Sequence, residues 1–378
     1  MQRKKYGKIV LGAVCFALLL AGCAKQKAGM EAGERQDQDV FRPMINLTET
    51  DEGVYYVQNV QADSDFMALK YVDKASAKET VLCRKVNCRH DSKACQAVSE
   101  GANYMGFLTY VNESLYYMVC KSVGEDRGLC LYRIRKDGTD KTLVHRFENQ
   151  TIPPNAAVMY RGKLFLSLPT MVEFEDATGS ESAEPSLVMY DLQTEEETLI
   201  VDGSKLKDTY VVPCGGSGDS IYFLEMNLNE DEGLIFRQYD FQTKEIRTVL
   251  EGVLNDAQFI WDDTIYLQPA HKKNVEAYHI KTKKREEILT YEEEIDDVYI
   301  QIGYMELIKR TKEDGKERGY YKWYDLKEER YLFDEFKSED EMYVRMRLAN
   351  GDYWIEKDDG IYFYHLKEGT WTKVEEIS

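Results

Sequence analysis

The fold of this chain is decided by residues 187–201, which read LVMYDLQTEEETLIV. The core of this stretch is a tyrosine, any residue and then an apolar residue, and we assign seven copies to the 378 residues, the first of which has Asp73 in place of the apolar residue. The repeat tyrosines lie on average about 49 residues apart, at Tyr71, Tyr132, Tyr190, Tyr239, Tyr278, Tyr324 and Tyr364. A period of this size is typical of one β-propeller blade.

Each repeat carries the signals of four short strands. A polar turn followed by apolar and aromatic residues precedes the tyrosine, as in residues 51–56 and 112–117. Such runs, bounded by Gly, Asp and Asn, indicate strands and hairpins. Because an isolated four-stranded sheet leaves an apolar face uncovered, we expect the copies to stack around an axis. A β-sandwich, the alternative all-β fold, would not need a repeat of this length.

The sequence therefore predicts an all-β protein whose residues 41–378 form a β-propeller of seven four-stranded blades, with six or eight blades as alternatives. Blade 1 is expected to end near residue 83. Residues 42–47 would supply the first strand of the ring, and residues 370–375 would supply the last. This assignment leaves no strand for a latch between the two ends of the ring.

The N-terminal segment predicts export. Residues 1–22 hold a basic start, an apolar run from Ile9 to Leu20 and then small residues, which is the pattern of a signal peptide too short to span a bilayer comfortably. Residues 20–23 read LAGC and resemble the lipobox of bacterial lipoproteins, which implies that Cys23 becomes the acylated first residue. An ordinary cleaved signal or a membrane anchor is the alternative. Residues 23–40 then form a polar, flexible linker.

The formal net charge of −19 restricts the partners. Removal of residues 1–22 takes away four positive charges and no negative ones, so the mature chain would carry −23. A strongly acidic chain disfavours nucleic acid and also disfavours electrostatic attachment to anionic lipid. We therefore expect contact with the membrane through the lipid anchor, on the outer face of the bacterial cytoplasmic membrane.

Connections of variable length are predicted on one face of the propeller. The turns between third and fourth strands are tight, whereas the connections between second and third strands are long and varied. The long ones are residues 120–128, 168–185, 225–233 and 309–319. Variable loops on a rigid face are a common place for recognition. The acidic loop at 168–185 is either a lid over a ligand or a solvated insertion.

Four residues of the types that bind metals are grouped after the first blade, in the expected crossing from blade 1 to blade 2. Cys83, Cys88, His90 and Cys95 have the spacing Cys-x4-Cys-x-His-x4-Cys and could hold one structural zinc ion in a closed Cys3His shell. Cys88 and His90 would point the same way from an extended segment. A disulfide between two of these cysteines and three inert thiols are the alternatives, and export makes the disulfide a serious one.

Cys120 and Cys130 flank the long connection of blade 2 on neighbouring antiparallel strands. A disulfide between them is one reading, and two free thiols are the other. Cys214 is expected to be a lone buried thiol.

The chain resembles a group of uncharacterised β-propeller lipoproteins of Firmicutes-type bacteria. The resemblance lies in the lipobox, the Tyr-Asp-Leu strands such as residues 190–192, and the Cys and Cys-x-His stretch after the first blade. It covers nearly the whole mature chain. It implies the architecture and says nothing about an activity.

A binding or scaffold module is the function that these features favour, with the variable-loop face holding a partner protein, a cell-envelope polymer or a small ligand. Catalytic signatures are missing, since residues 215–219 fail the nucleophile-elbow pattern at the last position. His145, His271, His279 and His365 are scattered and expected to be structural. The alternative function is a propeller-based carbohydrate-active enzyme, a lyase or hydrolase, because the abundant carboxylates could include a catalytic pair.

Overall fold

The repeat tyrosines all lie on the third strand of a four-stranded sheet, and seven such sheets form a ring, so the computed structural model is a seven-bladed β-propeller. The prediction of an all-β propeller with seven blades is confirmed. The structure describes residues 38–40, 46–59, 66–102, 104–121, 127–148, 150–173, 180–206, 208–227, 234–253, 255–261, 263–269, 273–291, 295–301, 304–313, 316–326, 328–331, 336–338 and 342–377.

The first three blades contain fourteen strands. β1 (Gln38–Val40) comes first in the chain and joins blade 3. Blade 1 contains β2 (Leu47–Glu49), β3 (Gly53–Asn59), β4 (Phe66–Asp73), β5 (Lys78–Val81) and β6 (Val98–Glu100). Blade 2 contains β7 (Tyr104–Val111), β8 (Ser114–Lys121), β9 (Gly128–Arg135) and β10 (Thr142–Phe147). Blade 3 contains β11 (Ala156–Tyr160), β12 (Lys163–Glu173), β13 (Ser180–Asp191) and β14 (Glu196–Val201).

The remaining four blades repeat the pattern. Blade 4 contains β15 (Thr209–Ser217), β16 (Ser220–Asn227), β17 (Leu234–Asp240) and β18 (Ile246–Val253), and blade 5 contains β19 (Asn255–Trp261), β20 (Thr264–Pro269), β21 (Asn274–His279) and β22 (Lys284–Thr290). Blade 6 contains β23 (Asp297–Gln301), β24 (Tyr304–Glu313), β25 (Lys316–Asp325), β26 (Arg330–Tyr331) and β27 (Phe336–Lys337). Blade 7 contains β28 (Met342–Arg347), β29 (Tyr353–Lys357), β30 (Gly360–His365) and β31 (Thr370–Lys373), and β32 (Glu375–Glu376) follows it.

The first strands of successive blades line the axis of the ring. β2 contacts β7, β11 contacts β15, and β15 contacts β19, which in turn contacts β23. The approach between blades 3 and 4 is close enough to require glycine, because a Cβ on Gly216 would lie 2.1 Å from the ring of Tyr160. β1 pairs antiparallel with the free edge of β11, so this short strand lies on the axis side of blade 3. It comes from the end of the predicted flexible linker.

The repeated tyrosine joins neighbouring blades. The hydroxyl of Tyr190 on the third strand of blade 3 donates to Val144 O on the fourth strand of blade 2, at 3.5 Å. In the same way the hydroxyl of Tyr278 in blade 5 donates to Val249 O in blade 4, at 3.4 Å. Both rings are buried. A tyrosine at this position therefore fills the space between two blades and also supplies a donor for an outer-strand carbonyl.

Closure of the ring joins blade 7 to blade 1. The rings of Tyr56 and Trp354 lie 5.2 Å apart, and Ala349 N donates to a carboxylate oxygen of Glu49 at 2.8 Å. The expectation that no strand is left for a latch is wrong, because β32 pairs in parallel with β5 of blade 1. β5 is the outer strand of that blade and has a free backbone edge, which a passing segment can pair with.

The long connections differ from the loops that the sequence predicts. Between the second and third strands of blade 3, the chain stays in strand conformation to Glu173 and again from Ser180, so most of the expected loop at 168–185 is a hairpin. Blade 6 has a similar long hairpin that extends to Glu313 and Lys316. We call the side of the ring that carries these connections the long-loop face, and the opposite side the tight-turn face.

Candidate metal centre

The grouped cysteines and histidine interrupt the fourth strand of blade 1. β5 pairs with residues 70–73 of β4, and β6 pairs with residues 66–68 of the same strand. The chain leaves the sheet and returns to it beside the same residue of β4, Leu69. Leu82 N donates to Leu69 O, and Leu69 N donates to Ala97 O, both at 2.9 Å. The expected end of blade 1 near residue 83 is therefore wrong. Residues 82–97 are an insertion within a blade and not a crossing between blades.

The insertion brings its four predicted ligands together. One ligand atom from each of Cys83, Cys88, His90 and Cys95 lies within 4.8 Å of all the others, and we call this group the Cys3His cluster. His90 Nδ1 and Cys95 Sγ are 3.3 Å apart. The cluster is the group of potential metal ligands found among the described residues.

Tight turns and not an extended segment produce this convergence. Cys88 N donates to Lys85 O at 3.2 Å, and Cys95 N donates to Ser92 O at 3.0 Å. His90 has a φ of 56°, in the left-handed region. The expectation that an extended backbone carries Cys88 and His90 is therefore wrong. Left-handed backbone in a non-glycine residue costs free energy and persists where surrounding contacts require it.

The three thiols have different environments. Burial raises the pKa of the Cys95 thiol to about 12, and the neighbouring Cys83 thiol adds to the rise. Burial also acts to raise the pKa of Cys88, but the backbone N–H of His90 and the thiols of Cys95 and Cys83 together hold it below its usual value. Cys95 is almost fully buried, whereas Cys83, Cys88 and His90 are partly exposed. The cluster therefore has one side in the core and one side near solvent.

Blade 2 packs against the two ends of the insertion, at Leu82 and at Val98. Lys141 donates from Nζ to Val98 O at 3.0 Å, and its ammonium lies 5.1 Å from the centroid of the Tyr132 ring. Burial lowers the pKa of Lys141 to about 8. Gly138 has a φ of 80°, and a Cβ there would lie 2.5 Å from Leu82 O. A glycine in this turn of blade 2 therefore lets the insertion lie directly against it.

The composition of the insertion suits stabilisation by a metal ion better than stabilisation by an apolar core. Its side chains are mostly exposed and polar, and Arg84, Lys85, Arg89 and Lys93 outnumber the single acidic Asp91. Three thiolates and a neutral imidazole would give a divalent ion a net charge of −1, and a basic segment offsets that charge. The cysteines of the cluster are free in the structure, as no disulfide joins them among the described residues. The four residues can therefore hold a metal ion.

Of the two alternatives for Cys120 and Cys130, the structure has no disulfide between them, and both side chains are buried. The strand register gives the reason, because Cys130 lies opposite Val119 and Cys120 lies opposite Leu129. Directly opposite residues share a face of the sheet and successive residues alternate, so the two thiols lie on different faces. Cys214 is a lone buried thiol as expected, and burial raises its pKa to about 12.

The scattered histidines take part in contacts between strands. His279 contacts Thr264 at 3.2 Å through Nδ1 and Glu286 at 2.8 Å through Nε2. His365 bridges a carboxylate and a threonine in the same manner. Its Nδ1 lies 2.9 Å from Asp352 and its Nε2 lies 2.9 Å from Thr372. A histidine between a threonine and a carboxylate resembles a hydrolytic triad, but its recurrence on two blades is typical of ordinary cross-strand pairing.

Cys23, with the signal peptide at residues 1–22, lies outside the described residues, as does His271. In the part of the chain that is described, no helix has the length and apolar character needed to cross a membrane.

Sequence reasoning missed the split strand. Ala97 and Val98 follow the last cysteine of the cluster and are both buried, but the three residues of β6 are too few to show a strand period.

The comparisons with known proteins agree with the fold. No family model matches the sequence, and no curated protein matches it. Similar solved structures include a prolyl endopeptidase (12% identity, TM-score 0.57, 89% of this chain and 49% of that chain). The acylaminoacyl peptidase of Pyrococcus horikoshii is also similar (12% identity, TM-score 0.53, 87% and 52%). A third is the β-propeller domain of the Trilobed protease from Pyrococcus furiosus, described as an open velcro topology (12% identity, TM-score 0.51, 87% and 97%).

At 12% identity these similarities show the fold and nothing more. The chain spans about half the length of the prolyl endopeptidase and acylaminoacyl peptidase chains.

Proposed function

We propose that this protein is a lipid-anchored binding module on the outer face of the cytoplasmic membrane, and that its long-loop face holds a partner protein or a cell-envelope polymer. The observation that carries the proposal is the difference between the two faces of the ring. Hairpins of blades 3 and 6 project from one face, where β12 and β13 have 11 and 12 residues and β24 and β25 have 10 each. Recognition commonly uses such projections from a rigid scaffold.

The tight-turn face supports this assignment by contrast. Its connections between third and fourth strands are short turns in which a carboxylate caps the backbone. Asp191 accepts from the backbone N–H groups of Gln193 and Thr194, and Asp240 accepts from those of Gln242 and Thr243. Self-capped turns leave few free polar groups for a ligand.

A structural zinc ion at the Cys3His cluster is part of the same proposal. Three thiolates and one imidazole form a closed tetrahedral set for zinc, so the ion would stabilise the insertion and would not perform catalysis. Elemental analysis of anaerobically purified protein should give about one zinc per chain. The metal should be lost in Cys88→Ser and in His90→Ala and kept in Cys214→Ser. Zinc-free protein with a disulfide among Cys83, Cys88 and Cys95 would exclude the site.

The membrane anchor is tested at Cys23. Its acylation rests on the lipobox, so Cys23→Ala should abolish retention of the protein in the detergent phase of a membrane extract. A variant that partitions like the wild type would show that the chain is held in another way.

Recognition by the long-loop face is tested with a photo-crosslinking amino acid in intact cells. Lys312 is exposed near the end of the blade 6 hairpin, and Gln242 is exposed in a turn on the tight-turn face. We expect adducts with a protein or envelope polymer from position 312 and none from position 242. Adducts from 242 alone, or from neither position, would contradict the proposal.

A further inference from the structure

A cavity of about 220 Å³ lies where blade 7 meets blade 1. It is lined by Asn46, Leu47, Tyr56, Val57, Gln58, Arg345, Trp354 and Glu356. Gln58 is close to the end of the second strand of blade 1, and Glu356 is close to the end of the second strand of blade 7. Second strands end at the long-loop face, so the cavity is on the side of the ring that we assign to recognition.

Arg345 and Glu356 form an ion pair at this cavity, and some of their hydrogen-bonding atoms are not used by it. Arg345 donates to Glu356 Oε2 from Nε at 2.9 Å and from Nη2 at 2.7 Å. Both bonds go to the same oxygen. Among the described residues, no hydrogen bond uses Oε1 of Glu356 or Nη1 of Arg345, so one acceptor and one donor remain available on two residues that line the cavity.

A β-bulge gives Arg345 its position. Val344 pairs with Ile355 and Met346 pairs with Trp354, so Arg345 is the extra residue between the two pairs. Bulges redirect a side chain and are frequent beside functional sites. The redirected guanidinium lies 5.4 Å from the ring centroid of Tyr343. Tyr343 is opposite Glu356 in the register, so its ring is on the same face of the sheet as the carboxylate.

Two aromatic rings belong to this region, one in the lining of the cavity and one, Tyr343, beside its lining residue Arg345. Tyr343 is 60% exposed, which is unusual for a ring in a strand of the inner part of a blade. Trp354 lines the cavity, and its Nε1 is buried without a hydrogen-bond partner among the described residues. Leu47 and Val57 add an apolar wall. A ligand that satisfies these groups needs a flat apolar face and hydroxyl groups at its edge.

We propose that this cavity binds one neutral sugar ring of a glycan, an assignment that rests on the proposed function because it places the ligand on the long-loop face. Hydroxyl groups both donate and accept, so a sugar can bond Glu356 Oε1 and Arg345 Nη1 together. The opposite charges of Arg345 and Glu356 neutralise each other, so the site has no net charge with which to select an ion. The volume is below the range of drug-sized pockets and matches a single ring.

The test uses the full-length protein, purified in a detergent without a sugar head group so that the detergent does not compete. N-acetylglucosamine and methyl glucoside are the probes, followed by ligand-observed NMR, with D-alanine as a zwitterionic competitor. We expect sugar binding with a dissociation constant of a few millimolar, about the affinity of one small ring. Glu356→Gln and Tyr343→Ala should each weaken it about tenfold.

A matched ion pair in blade 4 supplies the control. Arg237 donates to Glu225 Oε2 from Nε at 2.9 Å and from Nη2 at 2.8 Å, which repeats the geometry of the seam at a different place in the ring. Glu225→Gln should therefore bind the sugars like the wild type. Unchanged melting of Glu356→Gln would show that the loss is not a loss of folding.

Three results would overturn the assignment. They are no sugar binding by the wild type at about 50 mM, equal binding by wild type and Glu356→Gln, and displacement of the sugars by D-alanine. Crosslinking at position 312 reports separately on the long-loop face. Adducts there without sugar binding would reject the cavity alone, and sugar binding without adducts would reject the wider proposal alone.

Discussion

Blades 1 and 6 both have a fourth strand that is broken in two, and the two breaks are built differently. In blade 6, β26 pairs with Tyr324 and Asp325 of β25, and β27 pairs with Tyr320 and Tyr321. The strand resumes after residues 332–335, and Ser338 closes it by exchanging hydrogen bonds of 2.8 Å with Gly319. In blade 1 the break contains the whole of residues 82–97.

The comparison shows what each break needs to be stable. Neighbouring strand pairs suffice for blade 6, because little chain lies between its two halves. The blade 1 insertion is long and exposed, and its backbone is tied to the blade mainly at Leu69. A polar segment of this length buries too little apolar surface to offset its conformational entropy. The convergence of the Cys3His cluster supplies the missing stabilisation if a metal ion joins its members.

Removal of the proposed metal ion should give the largest effect, a difference in amide hydrogen exchange between the two broken strands. After treatment with a chelator, amide hydrogens of residues 82–97 and of β6 are expected to exchange about 100-fold faster or more, because binding free energy is folding free energy for such a segment. Exchange in β26 and β27 should stay the same, as measured by mass spectrometry on the full-length protein. Equal exchange in blade 1 before and after treatment would show that the insertion is stable without a metal.

Loss of the buried ion pair of blade 1 should give the second-largest effect. Lys70 Nζ lies 2.5 Å from Glu79, both side chains are about 8% exposed, and the Tyr56 hydroxyl also donates to Glu79. Lys70→Met leaves a buried carboxylate without its cation and should cost about 3–5 kcal/mol in the free energy of unfolding. Urea denaturation of the wild type and of Lys70→Met measures this loss.

The matched variant in blade 6 is Lys337→Met, which removes an exposed partner of Glu313. Its free energy of unfolding should change far less, since solvent screens exposed pairs. Equal losses in the two variants would mean that burial of the blade 1 pair does not set its contribution.

The latch on blade 1 should give a smaller effect. Glu375 N donates to Ala77 O and Ile377 N donates to Glu79 O, each at 2.9 Å. A chain that ends at Val374 loses both bonds and should lose about 1–2 kcal/mol in the free energy of unfolding. Glu376→Gln keeps the strand and should change less. A truncated protein that melts like the intact one would show that ring closure depends only on the packing between blades 7 and 1.

The smallest effect concerns the blade 6 hairpin. Hydrogen bonds from Lys337 and Tyr320 lower the pKa of Glu313 to about 2. Because the folded pKa lies below the usual value of about 4.3, the contribution of this carboxylate to stability is present above pH ~4.3 and is lost as the pH falls toward 2. In Lys337→Met, NMR titration should show the Glu313 pKa moving up toward its usual value. An unchanged pKa would mean that Lys337 is not the main cause.

The candidate site could be predicted only in part from the sequence. The four members of the Cys3His cluster are close in the chain, so their residue types and spacing indicated a shared ligand set directly. The place of the cluster was not predictable in this way, because Val98–Glu100 is too short to give a periodic strand signal. Cys120 and Cys130 show a second limit, because the sequence does not give the register between their neighbouring strands. A difference of one residue in that register decides which face each thiol occupies.

The sequence by itself determined the propeller, with seven blades expected and six or eight as alternatives, because each copy of the tyrosine pattern must bury the same apolar face and only a ring of copies covers all of them. It also determined which residues could bind a metal. The tertiary structure alone decided the latch of β32 on β5, the split fourth strands and the cavity between blades 7 and 1. These features join segments far apart in the chain, such as Tyr56 and Trp354, and the pairing of distant edges depends on where the ring closes. The sequence pattern within one blade carries no information about which distant segments will pair.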